Sequence, residues 1–255
     1  KNISSFDGKS LTISLPYRLK ADEAAESVAV WYLSDKGELE KMTCKYDKAT
    51  GLATFTTNHL SKYLVGYSEV WKNLFSDVKE KDWFYSAVEY AVKNGLFNGT
   101  TTTAFSPNGQ MTRAMLVTVL YRLEGSPAVT GTNGFSDVKS GQWYTAAIIW
   151  ANEKGIVSGL GNGLFGTNND VTREQMATIL YNYAKYKGYD TVKTAELKVF
   201  TDASAVSAWA QPAVKWASAE GLVTGRTAAT LVPKGNATRA EVAAIFQRFI
   251  PAFQK

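Results

Sequence analysis

Two periodicities divide the chain. Up to about residue 70 the apolar positions alternate in short runs. Leu11-Thr12-Ile13-Ser14-Leu15 stops at Pro16, and Val28 to Leu33 is followed by Ser34-Asp35-Lys36-Gly37. Leu39 to Tyr46 is followed by Asp47-Lys48-Ala49-Thr50-Gly51, and Leu52–Thr56 and Tyr63–Tyr67 complete the set. A period of two between tight turns predicts about five β-strands, hence a small all-β, sandwich-like module over residues 1–70. Beyond it the period becomes helical. Trp83, Ala87, Val88 and Ala91 share one helix face, and Leu116, Val119, Leu120 and Leu123 share another on a helix starting at Thr112. Met176, Ile179, Leu180 and Tyr183 repeat that second stripe, as do Val242, Ile245, Phe246 and Phe249. The pattern predicts an α+β chain of two domains, the second all-α and built from helix–loop–helix units over residues 71–130, 131–195 and 196–255.

These units are repeats. Phe75-Ser76-Asp77-Val78, Phe135-Ser136-Asp137-Val138 and Phe200-Thr201-Asp202-Ala203 open them, and Trp83, Trp143 and Trp209 follow. Each has a Gly-apolar-apolar-x-Gly turn, ending at Gly99, Gly159 and Gly225, and closes on Thr112-Arg113, Thr172-Arg173 or Thr238-Arg239. The motif Arg residues lie 60 and then 66 residues apart. Two helices cannot bury both of their stripes alone, so the three repeats must pack on one another. Stretches 124–134 and 184–199 read as linkers, the second carrying the extra residues.

Thr is a good helix N-cap. Glu or Gln three residues later completes a capping box at Thr238…Glu241 and Thr172…Gln175, but not at Thr112…Met115. An Arg in the first helical turn opposes the macrodipole. A chain that places one there three times gains something else from it. One reading is an anion site, in which free N–H groups of the helix start and a guanidinium clamp a carboxylate or phosphate. The other is an internal salt bridge to Asp77, Asp137 or Asp202. Trp83, Trp143 and Trp209 read either as core at the helix entrance or as platforms for sugar rings. Tyr90, Trp150 and Trp216, one period apart in mid-helix, read as core. The Asp residues read as turn or cap residues, or as acceptors for ligand hydroxyls. The paired glycines read as positive-φ positions, or as places where a ligand meets the main chain.

Composition narrows the chemistry. The 255 residues carry a net charge of +5 as scattered Lys, which marks no nucleic-acid-binding face. No apolar run reaches the roughly 20 residues that span a bilayer. Cys44 is the one cysteine, so no internal disulfide forms. Cys44 and the single His59 cannot make up the usual zinc sets. No P-loop, dinucleotide glycine pattern or nucleophile elbow is present, so neither a catalytic set, a metal nor a cofactor is expected. The chain opens on Lys1-Asn2-Ile3, without an initiator Met or a signal-peptide pattern, which reads as a mature product or an excised fragment.

With these motifs in order three times, residues 75–250 closely resemble three tandem S-layer homology domains. Residues 1–70 loosely resemble the β modules that precede such triplets in exported proteins. The resemblance implies a pseudo-threefold helical assembly with three grooves, located at the bacterial cell surface. It implies non-covalent anchoring to the wall by binding secondary cell-wall polysaccharide, often through pyruvylated N-acetylmannosamine. It marks Arg113, Arg173 and Arg239 as ligand contacts; Trp83, Trp143, Trp209, Asp77, Asp137, Asp202, Gly99, Gly159 and Gly225 are the further candidate contacts from the residue readings above. The chain departs from the family pattern at Met115, Glu174-Gln175 and Thr167, the last where Pro is usual. An alternative function is a self-assembling surface-layer protein, and another is the anchor region of a surface glycoside hydrolase. In repeat 3 one more residue separates Asp202 from Trp209, Leu231 replaces Phe105 and Phe165, and Arg226 stands where the others have Thr100 and Leu160. A third site of different shape is therefore expected, with Arg239 partly structural.

Overall fold

The computed structural model describes residues 9–68 and 71–253, and the chain divides into two compact units between Lys72 and Asn73. The domain boundary expected at residue 70 lies outside the described residues.

The first unit is a β-sandwich. Its strands are β1 (Leu11–Pro16), β2 (Val28–Leu33), β3 (Leu39–Met42), β4 (Cys44–Asp47), β5 (Leu52–Thr57) and β6 (Lys62–Tyr67). All neighbouring strands are antiparallel, in the orders β1-β5-β4 and β3-β2-β6. The run Leu39 to Tyr46, expected as one strand, is two. The chain leaves one sheet after Met42 and enters the other at Cys44, so Thr43 is a corner between sheets. Val28, Val30, Ala53 and Phe55 form the buried centre, with Ile13, Met42 and Val65 packed against it. His59 lies in a polar-aromatic cluster, with its Nδ1 near Asn58 and Thr57 and its ring edge-on to Tyr32 at 4.9 Å.

The second unit holds the helices α1 (Tyr85–Lys93), α2 (Arg113–Leu123), α3 (Thr145–Glu153), α4 (Arg173–Tyr186), α5 (Gln211–Ala219) and α6 (Arg239–Phe253). The predicted stripes are buried, including Leu116 and Leu120, Met176 and Leu180, and Val242 and Phe246. Trp83 is a correction, because α1 starts at Tyr85 and the indole is 66% exposed instead of sharing the buried face of Ala87, Val88 and Ala91. Trp150 and Trp216 are core residues, and Tyr90 is half-buried.

The repeats close into a ring. The second helix of each repeat packs on the first helix of the next, α2 on α3, α4 on α5 and α6 on α1. Three backbone hydrogen bonds join the segments that enter α2, α4 and α6. Met111 N–H donates to Ala237 O (2.9 Å), Val171 N–H to Met111 O (2.8 Å) and Ala237 N–H to Val171 O (2.9 Å). Each repeat leaves backbone groups that its neighbour satisfies, so no repeat is complete by itself. The stretch 184–199 is packed rather than a free linker. Leu197 is buried, Tyr189 stacks on Phe253 at 5.4 Å, and Trp216 Nε1 donates to Asp190 O.

Candidate functional site

The loop before each second helix is held from two sides. Asp77 accepts Phe105 N–H (2.9 Å) and Ser106 N–H (2.8 Å), and Asp202 accepts Leu231 N–H (2.8 Å) and Val232 N–H (2.7 Å). Asp137 accepts Phe165, Gly166 and Thr167 N–H at 2.7, 2.8 and 3.1 Å. Thr167, at the position where Pro107 and Pro233 stand, supplies the extra donor, since proline has no N–H. Burial opposes ionisation of Asp137, yet these three N–H groups hold its carboxyl below the ordinary range.

The motif Arg of the preceding repeat holds the same loop by its carbonyls. Arg113 Nε donates to Phe165 O (2.9 Å) and its Nη2 to Ser158 O (2.8 Å). Arg173 does the same to Leu231 O (2.9 Å) and Thr224 O (2.5 Å), and Arg239 to Phe105 O (2.8 Å) and Asn98 O (2.7 Å). The guanidinium of Arg113 lies 4.7 Å from the ring centroid of Phe165, and that of Arg239 lies 4.6 Å from Phe105. Arg173 has Leu231 at that position, and among the described residues no aromatic ring lies over its guanidinium. The three residues are only 5–7% exposed, and burial pulls each guanidinium pKa below its usual value.

Neither sequence reading of these Arg residues survives unchanged. No ion pair joins them to Asp77, Asp137 or Asp202 among the described residues; Asp and Arg grip the N–H and the C=O of one loop residue. The helix starts do not hold free N–H groups either. Arg113 and Ala114 donate theirs to Asn169 O and Thr167 O, Arg173 and Glu174 to Gly235 O and Pro233 O, and Arg239 and Ala240 to Gly109 O and Pro107 O. Among the described residues, Nη1 of Arg113 and of Arg239 has no hydrogen-bond partner.

Each Arg reaches the floor of a groove assembled from three repeats. The Arg113 groove (about 270 Å³) is lined by Gly159, Leu160 and Gln175 of repeat 2 and by Trp209 of repeat 3. The Arg173 groove (about 330 Å³) takes Gly225, Arg226 and Glu241 from repeat 3 and Trp83 from repeat 1. The Arg239 groove (about 400 Å³) takes Gly99, Thr100 and Met115 from repeat 1 and Trp143 from repeat 2. The Trp residues are 55–66% exposed, so they are walls of the grooves and not core. Asp77, Asp137 and Asp202 line none of the grooves and brace the loops from behind.

The paired glycines have different causes. Gly95, Gly155 and Gly221 adopt φ of 66–67°. Gly99, Gly159 and Gly225 do not; there a side chain has no room. A Cβ on Gly159 would lie 2.7 Å from both Leu164 O and the Phe135 ring. The traits that set repeat 3 apart do not form one site, since Arg226 and Leu231 belong with Arg173, and Trp209 with Arg113. Arg239 is built in no more deeply than the other two.

Sequence reasoning missed a further equivalent set. Arg122, Asn182 and Arg248, each nine residues after a motif Arg, donate to Leu96 O (3.0 Å), Ile156 O (3.2 Å) and Leu222 O (2.9 Å). Their common register was visible in the sequence, but the change of residue type hid it. Also missed was a cluster in the Arg173 groove. Arg226 grips Glu241 through Nε (3.0 Å) and Nη2 (3.1 Å), and Arg173 Nη1 reaches Glu241 Oε1 at 3.3 Å. Among the described residues no His, Cys, Asp or Glu cluster is placed to hold a metal, and no helix is long and apolar enough to cross a membrane.

Three interlocked helical repeats, each groove shared among all of them and walled by an exposed indole, define a repeat-built helical scaffold. The family model of the S-layer homology domain matches residues 74–114, 134–177 and 199–243, about half of the chain, and the chain belongs to that family. It is 32% identical to an amylopullulanase of Thermoanaerobacterium thermosulfurigenes over 226 residues, 89% of this chain and 12% of that protein. That match is longer than the helical unit and so extends into the β-sandwich. An endoglucanase of Bacillus sp. (strain KSM-635) is 34% identical over 69% of this chain and 18% of its own length. The surface-layer 125 kDa protein of Lysinibacillus sphaericus is 32% identical over 64% and 14%. The chain thus spans under a fifth of these relatives. It is a cell-surface region that anchors at the cell wall.

Proposed function

We propose that the three grooves bind anionic secondary cell-wall polysaccharide and so tether a larger exported protein to the wall. The observation that carries this reading is the groove itself. An exposed indole faces a glycine-bearing loop, and a guanidinium lies at the floor between them. An indole face suits the half-apolar face of a sugar ring. The open Nη1 of Arg113 and of Arg239 suits an acidic substituent such as a ketal pyruvate. Asp77, Asp137 and Asp202 act here as positioning residues. They hold the loop whose carbonyls hold the Arg, while Gly99, Gly159 and Gly225 let their loops pack against the rings of Phe75, Phe135 and Phe200. The surface-layer and cellulosome-anchoring relatives favour anchoring, and the enzyme relatives suggest that the cargo can be a carbohydrase. Self-assembly in a surface layer remains a second reading, motivated by the surface-layer relatives.

The test is titration of the protein with the polymer before and after removal of its acidic substituent. A charge-assisted pair is worth roughly 1.5–3 kcal/mol, so the neutral polymer should bind about tenfold or more weakly. Equal affinity for both would overturn the assignment of the guanidiniums to an anion.

A further inference from the structure

The loops that carry the three groove indoles are braced in different ways. Before Trp83 the Asp82 carboxylate accepts Lys79 N–H at 2.7 Å. Beside Trp143 the Thr145 hydroxyl donates to Lys139 O at 2.6 Å and accepts Gln142 N–H at 3.0 Å. Both braces lie within one repeat. In repeat 3 Ala208 stands at the place of Asp82 and Gln211 at that of Thr145, and the loop is one residue longer. Its brace comes from repeat 2. Glu174, the second residue of α4, is buried and accepts Ser207 N–H at 2.9 Å and the Ser207 hydroxyl at 3.0 Å. Lys234 Nζ donates to Glu174 Oε1 at 2.6 Å and also to the Ser207 hydroxyl. Ser207 opens the 3-10 turn Ala208–Ala210 that carries Trp209, its carbonyl accepting Ala210 N–H at 2.9 Å. The charge pair occurs at one junction of three. Ala114 with Asn168, and Ala240 with Asn108, stand at the positions equivalent to Glu174 with Lys234.

We infer that Glu174, paired with Lys234, is a positioning residue for the Arg113 groove, acting through Ser207 to preset the turn of Trp209 before a sugar arrives. The inference rests on the polysaccharide reading above. The Trp209 indole is 55% exposed and contributes little packing to hold its own turn. A buried carboxylate is tolerated where it is hydrogen-bonded and paired, and the two Ser207 donors and the Lys234 ammonium meet both conditions. The next residue of α4, Gln175, lines the same groove as Trp209. One helix start therefore supplies one part of the groove wall directly and sets another through Glu174. A loop ordered in advance spares the ligand the cost of ordering it, worth about threefold or more in affinity. Removing one charge of the pair would leave the other uncompensated, so the decisive variant removes both.

The double variant Glu174→Ala with Lys234→Asn carries the residues found at the other two junctions. Each groove has its own reporter, Trp209 for Arg113, Trp143 for Arg239 and Trp83 for Arg173, so the indole N–H signals of the ¹⁵N-labelled chain follow them separately by NMR. Without ligand, ¹⁵N relaxation should show the Trp209 indole more mobile in the double variant, with Trp83 and Trp143 unaltered. The probe is the methyl glycoside of pyruvylated N-acetylmannosamine. Its Kd read at Trp209 should rise about threefold or more in the double variant and stay the same at the other two indoles. Glu174→Gln keeps an acceptor for Ser207 N–H and a donor for its hydroxyl, and should hold the parent Kd at Trp209 within about twofold. Unaltered Trp209 mobility or affinity in the folded double variant would overturn the inference and leave the polysaccharide reading intact. So would equal losses at all three indoles, or a loss in Glu174→Gln as large as in the double variant. A double variant that does not fold would make the pair structural and overturn the inference as well. No shift of any indole with the glycoside in the parent chain would overturn both readings.

Discussion

Replacing Arg113 by Ala should unfold the helical unit more easily, although the residue sits in the first turn of a helix. The change removes two hydrogen bonds from a charged donor to the carbonyls of Phe165 and Ser158, and the contact over the Phe165 ring. Bonds of this kind are worth about 1.5–3 kcal/mol each, and the variant leaves two carbonyls at a part-buried site without their partner. Against this stands the recovered cost of burying a guanidinium, which is why its pKa is depressed. The balance is a loss of about 3 kcal/mol, or roughly 6–12 °C in Tm for a unit of this size. Urea unfolding followed by circular dichroism measures it. Arg226→Ala is the control, since its exposed pair with Glu241 should cost about 1 kcal/mol or less. A loss below about 1 kcal/mol for Arg113→Ala would refute the reasoning, because the cross-repeat bonds would then carry no net stability. Loss of wall binding in such a variant is therefore not by itself a sign of ligand contact.

Replacing Trp83, Trp143 and Trp209 together by Ala should leave the unfolding midpoint nearly unchanged, because the indoles are mostly exposed, while lowering polymer affinity about tenfold or more; unchanged affinity would remove the indoles from the binding surface. The folded pKa of Asp137 lies below its unfolded value, so its contribution is present above about pH 4 and is lost as pH falls through the folded value; Asp137→Asn should flatten the acid limb of a stability–pH curve, and an unaltered limb would contradict the loop bracing. A fragment beginning at Asn73 should fold and pellet with cell wall, because the ring closes within that unit; an insoluble fragment would make the β-sandwich part of the anchor.

Much of this architecture was legible in the sequence because it is periodic. The stripes at Leu116, Met176 and Val242, the caps at Thr112, Thr172 and Thr238, and the sandwich strands follow from local pattern and turn chemistry. Two things could not be read that way. A period states that Arg113, Gly159 and Trp209 recur, but not that each comes from a different repeat in one groove; only the closed ring decides that. Nor does a helix-start Arg reveal whether its partner is a ligand or a carbonyl some 50 to 140 residues away, as Phe165 O and Asn98 O prove to be. The break at Thr43 was hidden for a related reason. A corner between two sheets keeps the alternation of a single strand.

Sedimentation with purified cell wall, before and after removal of the non-peptidoglycan polymer, tests the central claim most directly. The account predicts that the chain pellets with native wall, stays in the supernatant with stripped wall, and is released from native wall by added free polymer. Equal pelleting with native and stripped wall would contradict it.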